Sequence, residues 1–501
     1  MKIFHKKNWA FIKFWMLKFF YNLPLSIFFL DLRNKITLNK IEYFYNKFSN
    51  QINSYTSIHT PERYLMNCNT KLPQSTWYLK KESSTVEVNY GSSVYRHENG
   101  LVEGVWDGKF SELNYASAEH LFGSGIFWSP EKITFSPPSY ILEGIFFFLN
   151  KENSNYYASN SLSCLLSLIK DLNIDLQEII STIDSSTSSR LECGIFGYNP
   201  VIYENDSLIL MLFCYHNFSI TNNGLKIETK LKINRFKNFY DYNNFLKEKI
   251  SILINNGKDR YRTNTPELLP LSTISSGYDS TASAAIVQNF GVHEAVTIDV
   301  NVYEKNDSGL VTAKRLGMEC HPCHHPFGQS ISDLNIKEIF YERNLDDLSI
   351  FLATFGLGDD SSWLAFKPYI EHKIVFTGHG GDEIWYKDRF IGNGLRKITC
   401  FELSLGEYRL HHGFARVAVP YIGTAFANYI YRINFLKEMT PYTLNNEYDR
   451  PIPRRFAEEA GIPRGTFAQI KRATNPNLVS VQKYKLESFL KHIKYYKSII
   501  Q

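Results

Sequence analysis

Two patterns of hydrophobic and polar positions divide the chain near residue 240. Between residues 71 and 238, short runs rich in β-branched and aromatic residues predict strands at 75–79, 84–88 and 208–215. Two further apolar runs, 140–149 and 156–159, flank a polar turn and predict a hairpin. This part is therefore predicted to be a strand-rich α+β domain.

From residue 239 onwards, helical and strand-like stretches alternate. Residues 245–254 repeat apolar positions at helical spacing and end at a polar Asn-Asn-Gly turn. Strand-like and helix-like stretches then follow in turn at 271–274, 282–289, 294–300, 310–316 and 374–377. Since such alternation is typical of parallel α/β units, we predict an α/β domain with a parallel sheet over residues 239–480.

Both ends of the chain are basic. Residues 1–30 are rich in aromatic and apolar side chains and contain five lysines and no acidic residue. Such a composition suits peripheral contact with a membrane surface. The longest uncharged piece, 19–30, is too short to span a bilayer. The lysines do not segregate onto one helical face, which favours packing on the protein itself. We treat residues 1–70 as a basic, aromatic amino-terminal segment and 481–501 as a basic helix or tail.

Composition excludes several classes of protein. The chain has 501 residues, with 55 basic and 50 acidic side chains and a net charge of +5. This balance is too even for a nucleic-acid-binding protein, so no nucleic-acid partner is expected. Seven scattered cysteines do not form a disulfide pattern, which favours a cytoplasmic location, with membrane association as an addition.

The first candidate site lies where a predicted strand leads into a helix. Residues 275–280, which we call the first junction, read Ser-Ser-Gly-Tyr-Asp-Ser. Gly277 lets the backbone turn, and the hydroxyls of Ser275, Ser276 and Ser280 can donate to phosphate oxygens at a helix amino terminus. Asp279 suits such a site if a cation such as Mg²⁺ bridges it to the phosphates. A serine-rich turn with an aspartate capping the helix is the alternative interpretation.

A second strand-to-helix junction has a similar character. Residues 378–383, the second junction, read Gly-His-Gly-Gly-Asp-Glu. The glycines Gly378, Gly380 and Gly381 permit close backbone approach, and Asp382 with Glu383 offers a second set of hard oxygen ligands. Two such junctions at the ends of parallel strands predict one polyphosphate ligand held with a metal ion.

These two motifs resemble one superfamily. The first junction is similar to the Ser-Gly-Gly-x-Asp-Ser loop of PP-loop ATP pyrophosphatases, with Ser276 in place of the first glycine. The second resembles the carboxyl-terminal domain of the asparagine synthetases, a group that also includes β-lactam synthetases and lasso-peptide cyclases. Residues 306–317 resemble the acid-then-helix segment of that domain, and the resemblance covers roughly residues 240–475.

The resemblance implies a PP-loop (HUP-like) fold and an amide-forming reaction. Such enzymes bind ATP and Mg²⁺, adenylate a carboxylate substrate, release pyrophosphate, and pass the acyl group to an amine donor. The implied catalytic residues are Lys471, Asp279 and Asp382, and Asp279 and Asp382 would also hold the metal. The implied nucleotide-binding residues are Ser275, Ser276, Gly277, Asp279, Ser280, Gly378, Gly380 and Gly381.

The chain also departs from the family. Glutamine-dependent synthetases use a cysteine directly after the initiator methionine, whereas Lys2 stands there and the first cysteine is Cys68. We therefore expect residues 71–238 to be a degenerate, glutaminase-like (Ntn-hydrolase-like) domain. The amine would then come from the substrate or from another molecule, so a precursor peptide or a partner protein is a candidate partner.

Other departures lie later in the chain. Phe414 stands two residues before Arg416, where synthetases carry a glutamate. His411 and His412 are either a substitute base or surface histidines in a loop, and we favour the loop. Nearby arginines are either anion-binding or simply solvated, namely Arg450, Arg454 and Arg455.

Alternatives from other classes stay open. The chain is alternatively a PP-loop adenylating transferase acting on a glycan or nucleobase, or a catalytically inactive binding subunit. Residues 320–325 read Cys-His-Pro-Cys-His-His, which resembles a haem-attachment or zinc-binding motif. No complementary ligand pair is evident in the sequence, so we favour a structural or nucleotide-proximal role for this cluster over a metal site.

Overall fold

The computed structural model describes most of the chain. The described residues are 21, 26–55, 60, 63–169, 176–179, 194–196, 198–230, 232–299, 307–324, 346–353, 361–388, 405–444, 446, 448–469 and 482–500. The predictions for Lys471 and for most of the segment 1–25 lie outside this part of the chain.

The first half of the chain consists mainly of short strands. Its elements are α1 (Ser26–Tyr55), β1 (Arg63–Cys68), β2 (Trp77–Glu82), β3 (Thr85–Tyr90), β4 (Tyr95–His97), β5 (Gly100–Trp106), β6 (Leu121–Trp128), β7 (Lys132–Ser136), β8 (Ile145–Asn150), β9 (Tyr156–Ser159), α2 (Leu162–Leu168), β10 (Val201–Glu204), β11 (Leu208–Phe213), β12 (Asn217–Thr221) and β13 (Gly224–Glu228). Within the described residues they form a seven-stranded sheet, β1-β3-β2-β9-β8-β11-β10, and a six-stranded sheet, β13-β12-β7-β6-β5-β4. All pairs are antiparallel except β1 with β3.

Side-chain alternation along the strands explains how these two sheets pack. Ile145, Phe147 and Leu149 of β8 point into a core shared with the six-stranded sheet. Their neighbours Phe146 and Phe148 point to the other face and pack against helices. Because successive strand residues face opposite sides, one apolar strand serves two hydrophobic layers. The predicted hairpin of β8 and β9 is confirmed.

The second half of the chain alternates helices and strands. Its elements are α3 (Phe239–Gly257), β14 (Leu269–Thr273), α4 (Tyr278–Gln288), β15 (Glu294–Ile298), α5 (Leu310–Arg315), β16 (Glu319–Cys323), α6 (Asp346–Leu352), α7 (Lys367–Ile370), β17 (Lys373–Thr377), α8 (Gly381–Ile384), α9 (Gly406–His412), β18 (Ala415–Ala418), α10 (Asn428–Ile433), α11 (Pro451–Glu459) and α12 (Gln482–Ile500). In the described part of the chain, the five strands form one sheet in the order β16-β15-β14-β17-β18, and every pair is parallel. The prediction of a parallel α/β sheet in this half is confirmed.

Helix starts are less well predicted than the elements themselves. Helix α3 begins at Phe239, six residues before the predicted start, because the Asn238 side chain accepts a hydrogen bond of 2.8 Å from the Asp241 N–H and caps the helix. Helix α4 begins at Tyr278, directly after Gly277. The junction residues Asp279 and Ser280 therefore lie in the first turn of α4.

Two long terminal helices pack on the two-sheet unit. Residues of α12 join the core on the outer face of the seven-stranded sheet, beside α2. Helix α1 covers β13 and contributes to the core between the sheets. Of the helices that the structure describes, none is both long and apolar enough to cross a membrane.

Candidate functional site

The two junctions lie side by side at the point where the strand order reverses. β14 pairs with β17 on one side and with β15 on the other. The next strand after β14 lies on the β15 side, whereas the next strand after β17 lies on the opposite side, at β18. The first junction follows β14 and the second follows β17. In open parallel sheets, this position beyond the carboxyl ends of the strands is where ligands bind.

The first junction is a tight turn held by its own hydroxyls. The Ser280 Oγ accepts a hydrogen bond of 3.1 Å from the Ser275 N–H and lies 2.7 Å from the Ser275 Oγ. The Ser275 Oγ also accepts a bond of 3.2 Å from the Gly277 N–H. Gly277 is the amino-terminal cap of α4 and supplies no side chain to bond the first turn. The amino terminus of α4, with the positive end of the helix dipole, therefore opens at the sheet edge.

Glycines of the second junction allow it to press against the first. A Cβ at Gly378 would lie 2.3 Å from the Asp279 carbonyl carbon and 2.4 Å from the Ser280 nitrogen. A Cβ at Gly381 would lie 2.6 Å from the Asp279 side chain. Gly380 has φ +76°, in the left-handed region that favours glycine. The sequence predicts close approach at these glycines. In the structure the neighbour of Gly378 and Gly381 is the first junction itself, and the neighbour of Gly380 is the Tyr421 ring.

The side chain that departs from the family pattern has a structural partner. The Ser276 hydroxyl donates a hydrogen bond of 2.5 Å to the Asp307 carboxylate, and the Ser276 N–H donates to the Asp307 carbonyl at 3.0 Å. From the other side, the Ala468 N–H donates to the Ser276 carbonyl at 2.8 Å. Ser276 thus fastens the first junction to the loop before α5 and to the segment after α11.

Arg450 forms an ion pair with Asp279 of the first junction. The Arg450 Nη1 donates a hydrogen bond of 2.6 Å to the Asp279 Oδ2, and the arginine side chain is buried. Its guanidinium lies 5.3 Å from the ring centres of both Tyr386 and Tyr448. Burial opposes the charge of Arg450, but Asp279, Tyr448 and Asp382 together raise its pKa above the ordinary value. The alternative that this arginine is merely solvated is wrong.

Acidic side chains surround the same point. Burial raises the pKa of Tyr448 to about 12, and the charges of Asp279, Asp307 and Asp382 act in the same direction while Arg450 opposes them. Asp279 and Asp382 are half-buried and both stand in the first turn of a helix. Their carboxylate oxygens are ligands of the kind that Mg²⁺ prefers, so these residues fit the metal that the sequence resemblance implies. Among the described residues, Arg450 forms an ion pair with Asp279 at this position.

A second ion pair, next in the chain to the Arg450–Asp279 pair, helps to hold Arg450 in place. Lys387 bonds to the Asp449 carboxylate, and both side chains are buried. The Asp449 carboxylate also accepts a hydrogen bond of 2.9 Å from the Leu444 N–H. Asp449 immediately precedes Arg450, so this pair fixes the chain at the start of α11. The sequence gives no signal for it, because the two residues are 62 positions apart.

Several other candidates lie elsewhere. Phe414 is part of a core, with its ring stacked 5.5 Å from Trp363, and the buried Arg416 guanidinium lies 5.5 Å from the same indole. The expectation that His411 and His412 lie in a loop is wrong, because both belong to α9. The His411 Nε2 lies 2.9 Å from the His492 Nε2 of α12, and the His412 Nε2 lies 3.5 Å from the Asp347 carboxylate.

The remaining arginines near the site have packed partners. The buried Arg454 guanidinium lies 5.0 Å from the Tyr278 ring centre. Arg455 forms ion pairs of 3.1 Å with Glu438 and 2.6 Å with Glu459. Arg454 therefore belongs to the packing under α4, and Arg455 belongs to a salt-bridge network around α11.

Within residues 320–324, the part of the cysteine cluster that the structure describes, the two cysteines do not come together as a metal site. Cys320 packs with the core on one face of the parallel sheet and Cys323 with the core on the other. Since the two thiols point to opposite faces of β16, they cannot share one ion. Burial raises the pKa of each thiol to about 11. This geometry supports the structural role preferred from the sequence.

A different acidic cluster, Asp107 with Glu119 and His120, brings possible ligand atoms together. Its groups are already satisfied by the protein. The His120 Nδ1 bonds to the Asp107 carboxylate at 3.1 Å, and its Nε2 accepts a bond of 3.0 Å from the Gly423 N–H. The Lys249 ammonium, 2.8 Å from the same Asp107 oxygen, supplies the cation. This cluster is therefore a structural network between the two halves of the chain.

Compared with known protein families and with curated proteins, this chain matches none. The chemistry of the chain must therefore be inferred from its own residues and their geometry.

Proposed function

We propose that this protein is an ATP-dependent, AMP-forming amide-bond ligase. It would adenylate a substrate carboxylate and pass the acyl group to an amine. The observation that carries the proposal is the contact between the two junctions, where Gly378 and Gly381 lie against Asp279 at the reversal point of the parallel sheet. The amino terminus of α4, the hydroxyls of Ser275 and Ser280, and the acids Asp279 and Asp382 all follow the carboxyl ends of these two strands.

The architecture supports a finer assignment of both halves. A parallel sheet ordered β16-β15-β14-β17-β18 has the reversal next to its first strand, as a PP-loop (HUP-like) nucleotide-binding fold requires. The two packed sheets of the first half, with α2 and α12 on one outer face, suit a degenerate glutaminase-like domain. On this proposal, the first half shapes the substrate site and has no glutaminase activity.

The first junction is suited to bind the pyrophosphate of ATP. A carboxylate is a poor acyl donor until AMP becomes its leaving group, and pyrophosphate departs when the adenylate forms. Donors from Ser275, Ser280 and the first turn of α4 can hold the developing charge. A Cβ at Gly277 would meet only the Ser275 Oγ, at 3.4 Å, so packing by the described residues does not demand this glycine. A glycine at position 277 would be needed if a phosphate of the ligand came close to the backbone there.

Mg²⁺, when bound, would neutralise the phosphates, and Asp279 and Asp382 are the residues that would hold it. The positively charged Arg450 contacts the Asp279 carboxylate and is a further candidate to contact the phosphates. By resemblance, Lys471 would stabilise the charge on the adenylate and on the tetrahedral intermediate.

The amine donor would be a second substrate or another group of the same substrate. Intramolecular attack would give a cyclic peptide or lactam, and attack by a separate amine would give a new amide. A peptide or a small carboxylic acid is the proposed acyl substrate, and a precursor peptide or partner protein could deliver it.

Exchange of labelled pyrophosphate into ATP tests the proposal. The full chain is incubated with Mg²⁺, ATP, labelled pyrophosphate and a panel of peptides and small carboxylic acids. Asp279→Ala is the test variant, and Asp206→Asn, which changes an exposed acid in the turn between β10 and β11, is the control. We expect carboxylate-dependent exchange in the wild-type protein and in D206N, and a loss of at least ~100-fold in D279A.

Other outcomes separate the alternatives. Exchange that depends on a glycan or nucleobase instead of a carboxylate would favour the transferase. Absence of ATP binding in calorimetry, together with absence of exchange, would leave the inactive binding subunit.

A further inference from the structure

Helix α1 exposes an apolar stripe on its outer side, interrupted by the exposed Asn39. Phe28, Phe29, Leu32, Ile36 and Tyr43 are between 50% and 71% exposed. The successive spacings along Phe28, Leu32, Ile36 and Tyr43 are four, four and seven residues, and Phe29 is next to Phe28. All five side chains therefore lie on one side of the helix. We call this surface the α1 stripe, and it extends along about four turns, or ~23 Å.

The stripe is not the face by which α1 packs on the protein. The opposite side carries Leu30, Ile41, Tyr45, Phe48 and Ile52, all of them buried. A helix that needs only one apolar side for folding normally carries polar residues on the other. Here the outward side is apolar as well. Packing against the described residues of this chain does not explain the apolar character of that side.

Polar contacts on both halves of the protein hold α1 in this orientation. Asp31 accepts a hydrogen bond of 3.0 Å from the Arg235 side chain, and it also bonds to Tyr429. Asn34 accepts a bond of 3.1 Å from Asn428. Near its end, Asn53 exchanges two hydrogen bonds with the backbone of Leu225, at 3.0 and 2.7 Å. The stripe is therefore presented on a fixed support.

Basic side chains flank the stripe. Arg33, Lys35, Lys40 and Lys47 are all exposed on α1. The first fifty residues contain nine lysines and arginines and two acids, of which Asp31 is turned towards Arg235. An apolar side bordered by cations is complementary to the acyl chains and anionic headgroups of a bilayer surface.

We propose that α1 docks this protein onto an anionic phospholipid membrane, with the stripe inserted at the headgroup–acyl boundary and the flanking cations among the headgroups. The helix lies in the plane of the membrane and does not cross it. This docking is independent of the proposed ligase activity, because it uses a different surface of the protein.

Vesicle flotation with the full chain tests the docking. The vesicles contain phosphatidylcholine alone or phosphatidylcholine with about one-third phosphatidylglycerol, at low and at high salt. The test variant is Phe29→Ser/Leu32→Ser/Ile36→Ser. The matched control is Tyr240→Ser/Tyr261→Ser/Val311→Ser, whose side chains are 65%, 48% and 59% exposed on other elements.

We expect the wild-type protein and the control to float with the anionic vesicles, and the stripe variant to bind at least ~10-fold more weakly. High salt should weaken wild-type binding, and Arg33→Gln/Lys40→Gln/Lys47→Gln should reduce the salt effect. Thermal unfolding checks that the exposed substitutions leave the fold intact.

Three results would overturn the proposal. In the first, wild-type protein fails to bind anionic vesicles. In the second, the stripe variant binds as tightly as the wild type, which would assign any binding to residues 1–25. In the third, light scattering shows that the wild type is a dimer and the stripe variant a monomer, which would make a second copy of the chain the occupant.

Discussion

The Arg450 guanidinium and the Asp279 carboxylate, 171 residues apart in the chain, form a hydrogen-bonded ion pair of 2.6 Å at the edge of the parallel sheet. The pair joins the first turn of α4 to the start of α11, and the buried Lys387–Asp449 pair lies one residue away. Asp279 is also one of the two acids, with Asp382, that the resemblance seen in the sequence predicts as magnesium ligands. Arg450 therefore balances this charge from within the protein, and we expect a metal at Asp279 to compete with Arg450.

Replacing Arg450 tests this competition. Arg450→Met removes the Arg450 cation from the half-buried Asp279, so we expect the free energy of unfolding to fall by roughly 2–4 kcal/mol. Added Mg²⁺ should raise the melting temperature of R450M more than that of the wild type. Scanning calorimetry with and without Mg²⁺ measures both effects.

The matched control is Arg464→Met, which removes an exposed arginine from its pair with Glu458. It should lose less than ~1 kcal/mol and show no added response to Mg²⁺. An equal response of both variants to Mg²⁺ would show that Arg450 and the metal do not compete.

The glycines of the second junction should be indispensable for a steric reason. Gly378→Ala would place a Cβ 2.3 and 2.4 Å from backbone atoms of Asp279 and Ser280, which cannot move aside as a flexible side chain can. We expect a loss of about 1–3 kcal/mol in urea unfolding, with weaker ATP binding in calorimetry.

Gly465→Ala is the control for this substitution, since a Cβ there meets no atom within 4 Å. It should stay within about 0.5 kcal/mol of the wild type. If G378A were as stable as G465A, the close contact between the junctions would be refuted.

A buried glutamate should make stability depend on pH. Burial raises the pKa of Glu407 from 4.5 to about 7, even though Ser161 and Tyr496 donate hydrogen bonds to it. The folded protein thus binds this proton more tightly than the unfolded chain. The resulting stabilisation is complete below pH 4.5 and is lost as the pH rises through about 7.

Glu407→Gln removes this titration. Relative to E407Q, the wild-type protein should lose roughly 3 kcal/mol of stability between these two pH values. Urea unfolding of both proteins at each pH measures the difference, so that titration common to the two cancels. A difference that does not change with pH would contradict the raised pKa.

The histidine pair between α9 and α12, His411 and His492, should give stability the opposite dependence on pH, with stability lost as the pH falls. Burial lowers the pKa of His492 from 6.5 to about 3, and burial also lowers that of His411. Both rings are therefore neutral in the folded protein, and the stabilisation is lost as the pH falls below 6.5.

His492→Gln should make the acid-induced loss less steep by about 1.4 kcal/mol per pH unit. The exposed His293→Gln serves as the control and should follow the wild-type curve. Unfolding in urea between neutral pH and about pH 5 gives the slopes. Identical slopes for H492Q and the wild type would exclude His492 as the titrating group.

Local pattern was enough to predict much of the fold and the position of the candidate site. Apolar spacing predicted β14, β15, β17 and α5 within a few residues, because each element needs one or two apolar faces whatever it packs against. The glycines and acids of both junctions marked the carboxyl ends of two strands, since only glycine tolerates such close backbone approach.

Only the tertiary structure decided which groups meet. The spacing of glycines indicates that something comes close, but it does not distinguish a ligand from the Asp279 backbone. The pairs Arg450–Asp279 and Lys387–Asp449 have no local signature, because Coulomb attraction and hydrogen bonding depend on distance in space and not along the chain. The same is true of α1, whose sequence shows apolar residues on both sides. Packing alone determined which of these sides entered the core and which was left facing outwards.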